Sequence, residues 1–248
     1  MLSIIIPARN AAAEIANTLD AYITFVTANF GPDFEIIVVP NDCSDDTVDI
    51  AEAYCKKHDM MKSKVIVDSI GKGGAILEGF KISNGNIISF VDADGSTGPE
   101  ELLKLVRQVG DSQVVVGSRW LPESRILIKQ PLIRRLASRG FNLLVRQLFG
   151  LPLRDTQCGA KVFLRQALAD VAGELSTTKF AFDVELLYRL KKKGYTIVEV
   201  PTVWENKPRS TLNLWGAIPE MFWAIMKVRL MDSPFRRFIP GPRPAEKG

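Results

Sequence analysis

Short apolar runs alternate with longer amphipathic stretches from the first residues of the chain onward. Positions 2–6 and 34–39 are almost wholly Leu, Ile, Val and Phe, each broken by one polar residue, Ser3 and Glu35. Such runs read as strands covered on both faces rather than half-exposed ones. The stretch 14–29 between them reads as a helix stopped by Gly31-Pro32. The alternation continues with a helix over 45–57 whose first turn is acidic, a short strand over 65–67 and a helix over 72–83. A strand follows over 87–91, then a helix over 99–108 with Pro99 at its first position, and a strand over 113–116. This rhythm predicts an α/β fold with a mostly parallel sheet flanked by helices.

The rhythm breaks near residue 121. Residues 121–150 mix Arg125, Lys129, Arg134, Arg135, Arg139 and Arg146 with Ile, Leu and Phe. A helix over 132–149 there would have a cationic side and an apolar side. Beyond it come a helix over 182–193, a strand over 196–200 and a segment, 212–230, rich in Trp, Phe, Met and Leu. The expected organisation is one domain over 1–211, with 121–150 as an amphipathic insertion, followed by an amphipathic helix and loose basic tail over 212–248. The apolar run 221–226 is too short to span a bilayer, and the N-terminus has no signal-peptide pattern, so no transmembrane helix is expected.

Composition narrows the classes. The 248 residues are 46% hydrophobic and 24% charged, enough for a sizeable core in one large domain. The net charge of +4 fits an anionic ligand or a membrane surface but is too weak to imply nucleic acid, and no nucleic-acid motif accompanies it. Cys43, Cys55 and Cys158 lack C-x-x-C spacing, which argues against a disulfide framework or a zinc site and fits a reducing compartment. His58 is the single histidine and sits in a polar run, which argues against a histidine-dependent triad or metal site.

Candidate chemistry gathers at the ends of the predicted strands, where open α/β sheets bind ligands. Asp92-Ala93-Asp94 directly follows the run over 87–91. Its two hard oxygen donors suit Mg²⁺ or Mn²⁺ shared with a diphosphate; a polar turn is the plainer reading. Gly71-Lys72-Gly73-Gly74 opens a helix but matches neither the P-loop nor the dinucleotide fingerprint. It reads either as a close approach to phosphate or as a tight turn with a solvated lysine. After the second strand, Asn41 or Asp42 is placed to read a nucleobase or ribose, and Ser44 or Asp45 to cap the next helix. With Pro7-Ala8-Arg9-Asn10, these segments would converge on one rim.

The segments Ser3–Asn10, Gly71–Ala75 and Val91–Gly95 together resemble the inverting family 2 glycosyltransferases of GT-A fold. Farther along, Gly117-Ser118-Arg119, Arg134 with Ser138, Asp155-Thr156-Gln157-Cys158-Gly159 and Phe182-Asp183-Val184-Glu185-Leu186-Leu187 are similar to the polyprenyl-phosphate branch, most of all to its dolichyl-phosphate glucosyl members. The resemblance implies transfer of a hexose, glucose from UDP-glucose, to dolichyl or polyprenyl phosphate with inversion. GDP-mannose as donor, or another lipid or glycan acceptor, is the alternative; a neutral hydroxyl acceptor would need Asp183 or Glu185 as base.

By the same resemblance Asp92 and Asp94 hold Mg²⁺ or Mn²⁺, and Pro7, Ala8, Arg9, Asn41, Asp42, Lys72 and Ala93 contact the nucleotide sugar. Arg119, Arg134 and Ser138 take the acceptor phosphate and, with Asp94, form the catalytic set. Lys207 and Arg209 sense the diphosphate. Asp155 orients the sugar or braces its loop. Two positions depart from the family pattern: Ser96 stands where mannosyl relatives have a metal-binding Gln, and Pro40-Asn41-Asp42-Cys43 replaces D-D-G-S. A lipid acceptor implies contact with a membrane, peripheral and at a cytoplasmic face, through residues 121–150 and 212–230. The alternative is that those segments pack on the core or on a second copy in a homo-oligomer.

Overall fold

A computed structural model describes residues 1–110, 112–128, 132–179, 181–205 and 214–233, with backbone alone at 133, 134 and 214–218. In chain order the elements are β1 (Leu2–Ala8), α1 (Ile15–Phe30), β2 (Phe34–Pro40), α2 (Thr47–Lys57), β3 (Met61–Ser63), α3 (Gly71–Ile82), β4 (Ile87–Phe90), α4 (Pro99–Arg107), β5 (Val114–Ser118), β6 (Arg125–Ile126), α5 (Leu132–Phe149), β7 (Lys161–Leu164), α6 (Arg165–Ala172), α7 (Phe182–Lys192), β8 (Ile197–Pro201), β9 (Val203–Trp204) and α8 (Leu214–Met231). Seven strands form one sheet in the order β3-β2-β1-β4-β7-β5-β8, and β6 pairs with β9 apart from it.

The near-continuous apolar runs are explained by burial on both faces. Side chains alternate across a strand: Ile5, Ile37, Val39 and Phe90 pack on one side with α3, α5, α6, α7 and α8, whereas Ile4, Ile6, Ile36 and Val38 pack on the other with α1, α2 and α4. The two polar residues in these runs pair with each other. Ser3 lies opposite Glu35 in the β1–β2 register, and the Ser3 hydroxyl donates to the Glu35 carboxylate at 2.6 Å. Glu35 also accepts from Lys62 Nζ at 2.6 Å and from the Asn84 amide. Burial alone would raise its pKa, but these donors hold it below the usual glutamate value.

Five elements differ from the sequence reading. The strand expected over 65–67 lies at Met61–Ser63, paired in parallel with Ile36–Val38. Met61 is the side chain that buries, while Val65 and Val67 face solvent; only an isolated bridge from Asn41 to Ile66 remains of the expected strand. The segment between 155 and 172, which carried no predicted element, holds β7 and α6. β7 runs antiparallel between β4 and β5, whereas the remaining neighbours in the large sheet are parallel. The ribbon of β6 and β9, two residues in each strand, is too short to leave a periodic signal. The helix expected over 132–149 is α5 with those bounds.

Candidate active site

The carboxyl ends of β1, β2 and β4 share one rim, because β1 pairs with both neighbours in parallel. At that rim Ala8, the last residue of β1, is buried and its carbonyl accepts from the Asn41 amide at 2.9 Å and from Asn41 Nδ2 at 3.2 Å. Asn41 is thereby locked to β1, and its Oδ1 is buried without a hydrogen-bond partner among the described residues. The Arg9 guanidinium pairs with the Asp42 carboxylate. Asn10 and Asp42 both sit in the left-handed region, at φ 49° and 50°, which short polar side chains tolerate better than most. The N-cap position of α2 is Asp46, which makes no side-chain cap, rather than the expected Ser44 or Asp45, although Asp45 Oδ1 accepts from the Thr47 amide at 3.1 Å.

Asp92 and Asp94 lie on the turn that leaves β4. Helix α1 braces this turn: Thr18 Oγ1 donates to the Ala93 carbonyl and Tyr22 Oη to the Thr97 carbonyl, both at 2.9 Å. Gly95, at φ 67°, lets the turn close against Thr18, whose Oγ1 would lie 2.9 Å from a Cβ there. Asp94 accepts from the Ser96 amide at 2.9 Å, so Ser96 supports the pair through its backbone. Burial and the neighbouring Asp92 charge raise the Asp94 pKa.

Lys72 is half-buried and held by acidic partners. Its ammonium contacts Asp92 Oδ1 at 2.7 Å and stands 3.8 Å from Asp183. The glycines around it serve packing. A Cβ on Gly73 would lie 2.3 Å from the Phe182 ring, and one on Gly71, at φ 70°, would meet the Thr178 carbonyl at 2.6 Å. This close approach of α3 to α7 puts Lys72 beside Asp183. On the other side of Asp183 is Lys161, fully buried, at 2.7 Å, which also donates to the Cys158 carbonyl at 2.6 Å. Both ammonium groups lie over the Phe90 ring, at 5.7 and 5.4 Å. Burial would lower the Lys72 pKa, but Asp92 and Asp183 raise it beyond the usual lysine value. Burial likewise opposes the ionisation of Asp92, but Lys72, with Lys161 and Arg119, outweighs burial and lowers its pKa. The Asp92 side chain is still 36% exposed, so a ligand can reach it.

Arg119 follows β5 and forms a fork with Asp155, Nε to Oδ2 at 2.7 Å and Nη2 to Oδ1 at 3.0 Å. Asp155 thus braces its loop, as one of its two expected roles required. Burial opposes the Asp155 charge, yet Arg119 holds its carboxyl below the usual range. The fork commits two of the five guanidinium donors, leaving Nη1 for an anion. Asn142 ties α5 to the same loop through Thr156, accepting from its amide at 3.0 Å. Ser138 is half-buried in α5. The Arg134 side chain lies outside the described residues, as do Lys207 and Arg209 altogether.

Asp183 and Glu185 are structural. The Lys161 and Lys72 contacts occupy Asp183, and Glu185, fully buried, accepts from the Ser176 and Thr177 amides at 2.9 and 2.8 Å. Neither is placed to act as a general base. The site residues that sequence reasoning missed are Thr18, Tyr22, Gly159 and Lys161. Gly159 is required because a Cβ there would lie 1.9 Å from Asp92 Oδ2.

Residues 3–172, well over half of the chain, match the family described as Glycosyl transferase family 2. The chain is a family 2 glycosyltransferase. This transferase is 33% identical over 242 residues to the dolichyl-phosphate beta-glucosyltransferase of Homo sapiens, across 92% of its own length and 75% of the human protein. It is 32% identical over 216 residues to glycosyltransferase AglD of Haloferax volcanii, covering 86% of the transferase but only 34% of that longer protein. Its fold is GT-A: the Mycobacterium tuberculosis glucosyl-3-phosphoglycerate synthase solved with Mn²⁺, UDP and phosphoglyceric acid superposes with a TM-score of 0.66 at 18% identity, over 97% of this chain and 80% of that one.

Proposed function

We propose that the transferase moves glucose from UDP-glucose to a dolichyl or other polyprenyl phosphate with inversion at the anomeric carbon. The observation that carries this reading is the pair Asp92 and Asp94 at the strand-end rim, with the Lys72 cation set against Asp92 at 2.7 Å. The names of the relatives, dolichyl-phosphate beta-glucosyltransferase among them, support the glucosyl donor and the lipid acceptor.

The donor set fits Mg²⁺ or Mn²⁺. Asp94 has its pKa raised by burial and by Asp92, and a cation held by the pair would relieve that like-charge repulsion. Among the described residues no group of three or more acidic, His or Cys side chains converges. Two carboxylates with the remaining positions left to diphosphate oxygens and water is how Mg²⁺ is commonly held. A divalent ion there supplies charge neutralisation for the departing diphosphate.

The chain's own groups do the rest by position. Asn41 and Asp42, at the end of β2, take the base and ribose, beside Pro7, Ala8 and Arg9. Lys72, within reach of Asp92, can turn its ammonium to the diphosphate. Arg119 with Arg134 and Ser138 fixes the acceptor phosphate, and Lys207 and Arg209 sense the diphosphate. The acceptor oxygen forms the new bond to the anomeric carbon as the bond to the β-phosphate oxygen breaks, and the diphosphate leaves with the electron pair. A phosphate monoester, with its second pKa near about 6, is already charged at neutral pH. It needs no base, which agrees with the structural roles of Asp183 and Glu185. Binding and orientation supply the rate.

Work on a lipid acceptor places the transferase against a membrane, at a cytoplasmic face, with residues 1–211 as catalytic domain and 212–248 as a surface helix and tail. Among the described residues no helix is long and apolar enough to cross a membrane. Incubation with a panel of nucleotide sugars and dolichyl phosphate, followed by organic extraction, tests the proposal. Labelled glycolipid is expected from UDP-glucose with Mn²⁺ or Mg²⁺; labelled lipid from GDP-mannose alone would overturn the donor assignment.

A further inference from the structure

The side chain of Asp183 is 5% exposed and that of Lys161 not at all. One Asp183 oxygen, Oδ1, accepts from Lys161 at 2.7 Å, and Lys161 is itself fixed by the Cys158 carbonyl at 2.6 Å. The other oxygen, Oδ2, faces the Lys72 ammonium at 3.8 Å. The packing of Phe182 on Gly73 sets that distance, because Asp183 and Lys72 are their sequence neighbours on α7 and α3. Two of the amides at the start of α3 are already used: the Thr178 carbonyl accepts from Gly73 at 2.7 Å and from Gly74 at 3.4 Å. The Lys72 ammonium, rather than a bare helix terminus, is therefore what this end of α3 offers a phosphate.

A lysine carries its charge on a flexible four-carbon stem, so holding it in one place needs partners. Asp92 is one, but a carboxylate that ligates a divalent ion has less charge left for an ammonium. Asp183 stands outside the acidic pair and is the partner that remains. Alone it would repel a diphosphate. Lys161 supplies its counter-charge, so Asp183 can steer Lys72 without cancelling the charge that Lys72 brings to the donor. A buried ion pair seldom stabilises a fold better than apolar side chains of similar volume, which points to a use beyond packing. We propose that Asp183 is a positioning residue for the donor: clamped by Lys161, it orients the Lys72 ammonium toward the diphosphate of the nucleotide sugar. The inference rests on the reading of Lys72 as a cation that meets that diphosphate.

A double-mutant cycle read in binding, not turnover, tests it. Affinities for UDP and for uridine are measured by calorimetric titration of the full chain with Mn²⁺ present. Lys72→Met and Asp183→Asn should each weaken UDP by at least about ten-fold, the scale of a hydrogen bond to a charge, and leave uridine, which has no phosphate, unchanged. In Lys72→Met/Asp183→Asn the two losses should not add, because Asp183 acts only through Lys72. Additive losses overturn the inference, and so does an Asp183→Asn protein that binds UDP as the wild type does. Equal loss of UDP and uridine makes Asp183 a packing residue and also overturns it. Asp183→Asn leaves Lys161 buried without its counter-charge, which can prevent folding. Lys161→Met/Asp183→Asn removes both charges at similar volume; it should fold and show the same selective loss of UDP, and wild-type UDP affinity there overturns the inference. A wild type that binds GDP but not UDP refutes the glucosyl donor alone, and the cycle is then read with GDP against guanosine. A wild type that binds neither diphosphate overturns both.

Discussion

Asp94→Asn separates catalysis from folding. Transfer should fall by about 10²–10⁴-fold, the scale of several kcal/mol of charge stabilisation. The thermal midpoint without added metal should hold or rise, because the change removes a charge that Asp92 opposes. Wild-type turnover in this variant with Mn²⁺ present would refute the role given to the pair. Gly159→Ala approaches the same carboxylate from the other side. Its Cβ would lie 1.9 Å from Asp92 Oδ2, so Asp92 must rotate, and Mn²⁺ affinity by equilibrium binding should fall at least about ten-fold. The cost in stability is about 1–3 kcal/mol, as for other overpacked sites. Unchanged Mn²⁺ affinity would show that Asp92 is not a ligand.

At the scale of elements, what could be read from the chain was whatever repeats locally. The buried strands, the amphipathic α5 and the acidic turn after β4 each announce themselves within about ten residues, through period, composition or a turn signal. β7 did not, because its four residues carry a lysine that looks solvated and is fully buried. Lys161 is neutralised by Asp183, 22 positions away on another element, and no periodicity reports such a pairing. Lys72 was legible as a cation near phosphate chemistry, but its contact with Asp92 depends on Phe182 packing against Gly73. The cationic side of α5 was legible too, although which ridge of it meets Trp120 depends on how the helix docks.

The β1–β2 pair carries its own prediction. Glu35 titrates lower in the fold than the ordinary 4.5, so its stabilisation is complete above that pH and fades as pH falls through the folded value. Glu35→Gln should cost about 1–3 kcal/mol at neutral pH, the scale of hydrogen bonds to a buried charge. The difference from wild type should shrink in urea titrations below pH ~4; a difference independent of pH would exclude the carboxylate as its source.

Across the whole molecule, α8 does two things at once. Ile225 and Val228 are buried in the core shared with α5 and α7, while Phe222, Trp223 and Leu230 are exposed. Ile225→Ala should therefore cost about 2–5 kcal/mol. Trp223→Ser should leave the thermal midpoint within about 2 °C, since a surface change is worth only tenths of a kcal/mol, and reduce vesicle partitioning. Equal destabilisation by both would mean that Trp223 is covered in solution. The antiparallel β7 has a wider consequence. It joins β4, and through it β1, β2 and β3, to β5 and β8 through hydrogen bonds on both its edges. The two halves therefore cannot swing about a hinge as separate lobes without tearing a central strand from its neighbours. Capture and release of reactants must be the work of peripheral loops, above an unbending floor.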